Sequence, residues 1–484
     1  VTTRRVLAPR IDFTALRREL DLPTEFPPAA QSQADEAAER DLTPGRGDHR
    51  DIPFVTIDPA TSRDLDQAVC LLRQPDGTFR VHYAIADVAS FVVPGSELDT
   101  ETWKRGQTVY LPDGKVPLHP KVLSEGVASL LPDVDRRAVL WTIDLAADGG
   151  IARTTVERTV VRSRAKLDYG TVQSDVDAGT PHPSIALLPE IGQLLIGRGL
   201  ARGAINLPMP EQDVEPDGDG WRLTLRAPLA VEEYNAQISL LTGMAAAKLM
   251  LAGDVGLLRT MPAPRPESVQ NLRAAAVALD IPWPDGATPG QVIASIDPAQ
   301  PRSAAFLDQA AEMMRGAGYT AFDGAPPEQS LHGAVGAPYA HVTAPLRRLA
   351  DRYATEACLA LHAAVEVPGW VRDALPRLPD VMQSTDRVAG AAARGAVDLT
   401  EAVLLSGRVG EEFGAAVVDV DGDRNKATST VASRRKGGAI ALDDPPVRAR
   451  CEGDALPLGG RIRVRLVEAD PVKRRVLFTA VEPG

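Results

Sequence analysis

Phe54-Val-Thr-Ile-Asp-Pro-Ala-Thr-Ser-Arg-Asp-Leu-Asp-Gln-Ala-Val69 decides the reading of this chain. An apolar run delivers Asp58 at its end, a polar loop follows, and Asp64 and Asp66 open a second apolar run. Asp64 and Asp66 lie two apart, so on an extended backbone both project to one face. Asp58, at the end of the neighbouring run, can converge on the same point. Two readings fit these residues. Aspartates beside Pro and Ser cap turns, and carboxylates between two apolar runs make an oxygen cage for a hard divalent cation.

Outward from this stretch, Pro75-Asp-Gly77 is a hairpin turn, which predicts that the run from Ala68 pairs with Phe79-Arg-Val-His-Tyr-Ala-Ile-Ala86. Ser96 to Gly106 reads as a capped helix. Ala138–Leu145 and Thr154–Arg162 read as strands joined across Asp148-Gly-Gly150. From 165 to 385 the pattern turns helical, including Ala230–Leu251 and a helix opening at Thr343-Ala-Pro345. After Ser406 short strand candidates recur at Arg408–Val409, Ala415–Val420, Lys426–Val431, Arg461–Val467 and Arg475–Val481. That pattern matches a small closed barrel of the oligonucleotide-binding (OB) kind. The expected organisation is α+β and multidomain: a short helical segment over 1–50, a mixed α/β catalytic domain over 51–390, and an all-β OB barrel over 400–484.

Taken alone, the net charge of −12 argues against nucleic-acid binding, because phosphate contacts need Lys and Arg. From Ser406 onward, however, 14 Lys and Arg face 12 Asp and Glu, so the tail is slightly basic and the body acidic. The three cysteines, Cys70, Cys358 and Cys451, form no metal spacing and read as buried residues of a reducing compartment. With no membrane-length apolar run, the expected location is cytoplasmic. Neither a zinc motif nor a phosphate-binding P-loop is present. No protein partner is indicated, and a monomer is expected.

Several segments together resemble one family. Thr56-Ile-Asp-Pro…Arg63-Asp-Leu-Asp-Gln-Ala68 is similar to the signature of the ribonuclease II/R (RNB) exoribonucleases. The likeness continues in order through Ala84-Ile-Ala-Asp-Val88, Val109-Tyr-Leu-Pro112, Leu123-Ser124…Ser129-Leu130 and His341-Val-Thr-Ala-Pro-Leu-Arg-Arg-Leu-Ala-Asp351. The resemblance covers roughly residues 40–365. It implies an RNB-type core and a processive 3′→5′ exoribonuclease that cuts single-stranded RNA to nucleoside 5′-monophosphates.

The implied cofactor is Mg²⁺, with Mn²⁺ as the alternative ion. By position the metal-site residues are Asp58, Asp64, Asp66 and Gln67, and the fourth departs from the family's Asp. An amide oxygen can ligate the ion but brings no charge, so a catalytically weak or silent RNA-binding protein on the same fold is the alternative. Asp66 is expected to hold metal or orient the attacking water. The resemblance makes Arg347 the phosphate-contacting arginine and Tyr110 a stacking residue for the terminal base. On local grounds alone, Arg347 and Arg348 read as solvated or bridged to Asp351, and Tyr110 as a strand-end core residue. Arg348, the turn cluster Arg434, Arg435 and Lys436, and Lys473 with Arg474 are either RNA-backbone contacts or solvated charges. Phe413 and Phe478 either stack bases or pack the barrel. His332 and His341 read as structural.

Overall fold

Pro75-Asp-Gly77 closes a hairpin for a local reason. In the computed structural model, which describes residues 4–40, 45–298, 300–421 and 436–481, Asp76 accepts from the Thr78 amide at 3.0 Å. Gly77 takes a left-handed φ of 84°, which glycine alone adopts without steric cost. Strands Gln67–Arg73 and Phe79–Ala86 therefore pair antiparallel, with Gln67 opposite Ile85 and Arg73 opposite Phe79. Phe79–Ala86 pairs next with Asp135–Leu145, which returns through the Asp148-Gly-Gly150 turn as Ile151–Leu167.

That last strand is long enough to pair twice. Its first part lies against Asp135–Leu145, and its end runs parallel to Phe54–Ile57, Ile57 opposite Leu167. The six-stranded sheet thus curls back on itself. All four residues of Phe54–Ile57 are buried, which is why this strand reads as a continuous apolar run. Helices Ala230–Ala252 and Leu349–His362 supply Ile238, Leu241, Ala350 and Tyr353 to the core they share with Tyr83 and Trp141 of the sheet.

Elsewhere the structure departs from the sequence reading. The first 50 residues contain helices Thr14–Glu19 and Pro28–Glu39, but Arg4–Ala8 is a strand paired with Gly220–Arg226. The helical region also holds the hairpin Glu211–Asp217/Gly220–Arg226 and the pair Val255–Thr260/Gly318–Asp323. Glu211-Gln-Asp-Val-Glu-Pro-Asp217 has a single large apolar residue, so hydrophobic alternation cannot reveal it. The gap between the two expected domains, after 390 and before 400, lies inside a 28-residue helix, Leu378–Leu405. The middle of that helix is nearly all Ala and Gly, without the large side chains that mark an amphipathic stripe.

The terminal barrel is closed by Glu412–Val420, Gly437–Leu442, Arg448–Glu452, Arg461–Asp470 and Arg475–Ala480. Arg408–Val409 is a turn and not a strand, and the Lys426–Val431 candidate lies outside the described residues. Phe413 and Phe478 are buried and meet edge to face at 5.6 Å, so they are barrel core and not base-stacking residues. Among the described residues no helix is long and apolar enough to cross a membrane. All three cysteines are free and buried.

Glu401 couples the long helix to the barrel. Only 4% exposed, it accepts from the Arg448 amide at 3.0 Å and from Gln212 Nε2 at 2.8 Å. Burial raises its carboxyl from 4.5 to about 7. Because the folded value lies above the unfolded one, this contribution to stability is fully present below the unfolded value and is lost as pH rises through about 7. A shift of that size corresponds to roughly 3 kcal/mol. Glu401→Gln keeps an acceptor oxygen, so it is expected to raise the melting temperature near pH 8 and change it little near pH 5. Calorimetry at the two pH values checks this.

Candidate active site

The acid stretch is held by a neighbour far along the chain. Ser129 Oγ donates to the Arg63 carbonyl at 2.7 Å and accepts from the Leu65 amide at 3.0 Å. The Leu130 amide then bonds the Leu65 carbonyl at 3.0 Å. Ser129 is fully buried. Its hydroxyl therefore sets the loop from which Asp64 and Asp66 project. Ser129→Ala would leave the buried Leu65 amide and the partly buried Arg63 carbonyl unpaired, a loss of about 1–3 kcal/mol. Urea unfolding is expected to report that loss, with activity falling alongside.

The loop Thr343–Arg348 closes over the acids. The Leu346 amide donates to Asp66 Oδ1 at 2.8 Å, and Gln67 Nε2 donates to the Thr343 carbonyl at 2.7 Å. Asp351, wholly buried, accepts from the Ala344 amide at 2.7 Å and from Arg348 Nε and Nη2 at 2.9 and 2.8 Å. The loop is also stitched to the segment leading to Tyr110, since the Thr108 amide bonds the Arg347 carbonyl at 2.9 Å.

Helix Leu349–His362 thus begins four residues after Pro345, and Arg348 stands before it in extended conformation. The expectation that the helix opens at Thr343-Ala-Pro345 is corrected, because Asp351 holds that segment as a turn. The two arginines also divide. Arg348 is taken up by Asp351, whereas Arg347 points to the acids, its Nε 3.5 Å from Asp66 Oδ2 and its side chain 44% exposed.

The three aspartates differ in their surroundings. Burial raises the Asp58 carboxyl to about 6 and the Asp66 carboxyl to about 8. Arg347 opposes both shifts, and the charge of Asp64 adds to them. Asp64 has both oxygens engaged: Oδ1 lies 2.7 Å from Lys115 Nζ, and Oδ2 accepts from the Tyr110 hydroxyl at 3.2 Å. Lys115 also reaches Glu125 at 3.1 Å.

The Gln67 amide oxygen accepts from the Tyr83 hydroxyl and, at 3.4 Å, from Ser239 Oγ. Among the described residues no three His, Cys, Asp or Glu side chains stand close enough to hold a metal ion between them. The expected cage of three acids and an amide is therefore not assembled as one shared pocket. Asp64 is turned to Lys115, and Gln67 is a strut between the sheet and the Thr343 loop. The carboxylates of Asp58 and Asp66 remain, raised chiefly by burial, and their hard oxygens are the donor type that a divalent cation takes.

The remaining expected residues are scattered. Tyr110 is 49% exposed beside the acids. Arg474 reaches the two Glu19 oxygens with its Nη2 at 2.8 and 2.7 Å and ties the first helix to the barrel. Lys473 pairs with Asp470 at 3.1 Å and Glu468 at 3.7 Å. Each of these cations is paired with a neighbouring carboxylate in this arrangement. Lys436 is exposed at the foot of a barrel strand, and Arg434 and Arg435 lie outside the described residues. His341 Nδ1 pairs with the Tyr319 hydroxyl at 2.7 Å in a partly buried contact.

Sequence reasoning missed Lys115 and Glu125. A signal for Lys115 was present. The Leu111-Pro-Asp-Gly114 turn makes a hairpin in which Lys115 lies directly opposite Tyr110, and opposed residues of an antiparallel pair share a face.

Comparison with known proteins agrees with this architecture. The family model of the RNB domain matches residues 46–361, and that of the RNase II-type exonuclease C-terminal S1 domain matches 411–481. The chain is 28% identical over 396 residues to the Exosome complex exonuclease RRP44 homolog A of Arabidopsis thaliana, covering 76% of this chain and 41% of that one. It thus spans less than half the length of that curated relative. Among solved structures, Mycoplasma genitalium RNase R in complex with ribose methylated single-stranded RNA shares the fold at a TM-score of 0.80 and 21% identity, over 97% of this chain and 77% of that one. Yeast Ssd1, a pseudonuclease, shares it at 0.66 and 17%, over 93% and 53%.

Proposed function

Since the chain belongs to the RNB family, we propose that it is a processive 3′→5′ exoribonuclease, releasing nucleoside 5′-monophosphates from single-stranded RNA as a cytoplasmic monomer. The observation that carries this reading is the convergence on Asp66 of Arg347 and the Leu346 amide, from a loop 280 residues downstream, beside a half-exposed Tyr110.

Asp58 and Asp66 would hold a divalent ion, Mg²⁺ or alternatively Mn²⁺, which when bound lowers the pKa of water and neutralises phosphoryl charge. The protein's own groups account for the rest. The Leu346 amide anchors Asp66 Oδ1, leaving Oδ2 to orient the attacking water and accept its proton. Water adds to phosphorus, and the 3′ oxygen of the preceding nucleotide leaves. Arg347 stabilises the charge gathering on the phosphoryl oxygens. Tyr110 offers a face to the terminal base, worth about 1–3 kcal/mol and tolerant of any base. Of the expected barrel contacts, exposed Lys436 and the neighbouring Arg434 and Arg435 stay in the proposal as a grip on the RNA backbone.

The test is incubation of 3′-end-labelled single-stranded RNA with the chain and Mg²⁺. Labelled mononucleotides, appearing before any shortened ladder, are expected; intact RNA after prolonged incubation would sink the proposal. Lys115 seated on Asp64 and the engaged amide of Gln67 favour a second reading, a catalytically silent RNA-binding protein. RNA retained without Mg²⁺-dependent turnover selects it.

A further inference from the structure

One hairpin brings both an aromatic ring and an ammonium group to the acids. Strands Val109–Leu111 and Gly114–Val116 place Tyr110 opposite Lys115. The turn between them is anchored from outside, because Arg17 Nη2 donates to Asp113 Oδ1 at 2.6 Å. Lys115 is consequently held in place, and its side chain is only 18% exposed. It has two carboxylate partners, Asp64 and Glu125, 11% and 19% exposed. Such partly buried pairs are screened far less than surface ones.

The fourth position of the acid stretch points the same way. Gln67 adds no charge, and its Nε2 donates to the Thr343 carbonyl, a contact that a carboxylate cannot make. The acid stretch thus lacks one negative charge, and the opposing hairpin adds one positive charge. In two-ion hydrolases a pair of cations about 3.5–4 Å apart divides the work of clamping the reacting oxygens. Here the oxygens of Asp64 are already taken, one by an ammonium and one by a phenol.

We infer that Lys115 is a built-in counter-cation of the acid cluster, holding Asp64 in place of a second divalent ion, so that the site loads a single ion at Asp58 and Asp66. The inference rests on the metal-dependent reading above and deepens it. Lys115 is in these terms a positioning residue that acts through Asp64. Because its charge is covalently attached, one of the two cationic roles in the site is independent of metal concentration.

Ion stoichiometry tests this without any turnover. The full chain is titrated with Mn²⁺, and free ion is followed by electron paramagnetic resonance. Wild type is expected to bind one Mn²⁺, Lys115→Ala two, and Lys115→Arg, which keeps the charge, one. A wild-type stoichiometry of two or of zero overturns the inference, and so does a Lys115→Ala stoichiometry that stays at one. If Lys115→Ala does not fold, as judged by its melting curve, Lys115→Met keeps the aliphatic stem and takes its place with the same expected value of two. Labelled-RNA turnover is measured separately on the same preparations. One bound ion without RNA cleavage would remove the nuclease reading alone; cleavage with two bound ions would remove this inference alone.

Discussion

Asp66→Asn is expected to cut the release of mononucleotides by ~10²–10⁴-fold while leaving the fold at least as stable as wild type. The two outcomes have one cause. Asp66 is 5% exposed, and burial raises its carboxyl to about 8. A folded value above the unfolded one means that this group's contribution to stability is fully present below its unfolded value and is lost as pH rises through about 8. Near neutral pH, without a cation, this group therefore opposes folding, because it must take up a proton or bury its charge.

Asparagine removes the charge and keeps an oxygen for the Leu346 amide, now 2.8 Å from Asp66 Oδ1. It cannot accept a proton from water. Single-turnover cleavage of labelled RNA and a melting curve near pH 8, without added metal, check the pair of outcomes. A variant that cuts RNA at the wild-type rate would remove Asp66 from the reaction.

The two neighbouring arginines should fail in different ways. Arg347→Ala is expected to lower kcat by ~10²–10³-fold, the scale for losing one donor to developing transition-state charge, with little change in KM or melting temperature. Its side chain is half-exposed and touches Asp66 only at 3.5 Å, and its backbone contact to the Thr108 amide survives truncation. Arg347→Lys should restore only part of the rate, because an ammonium lacks the planar fork.

Arg348→Ala, by contrast, strips the partner from the fully buried Asp351. Breaking such a pair costs about 3–5 kcal/mol, so this variant should lose stability first and activity as a consequence. Paired kcat and melting measurements on the two variants separate the roles. Equal loss of stability in both would contradict the division.

Much of the framework was legible in the chain. The turn Pro75-Asp-Gly77, the Asp148-Gly-Gly150 connection and the Ser96 cap each act over a few residues, where backbone sterics and local hydrogen bonds decide the outcome. The order of the acid, tyrosine and tandem-arginine segments was equally legible. Elements with few large apolar side chains were not. Arg4–Ala8, Glu211–Asp217 and Gly437–Leu442 are strands because a partner strand exists for them, and the Ala/Gly-rich centre of Leu378–Leu405 is helical while its small residues pack closely.

The sequence by itself determined which chemistry-bearing residues exist and which local turns and strands carry Asp58, Asp64, Asp66, Tyr110 and Arg347. Tertiary structure alone decided what each charge faces. Asp64 meets Lys115, Gln67 meets Thr343, Arg348 meets Asp351 and Arg474 meets Glu19. The physical reason is range. Hydrophobic period and turn chemistry act between neighbours in the chain, whereas the partner of a side chain is set by distances of a few ångströms between segments, separated in the cases of Gln67 and Arg474 by hundreds of residues.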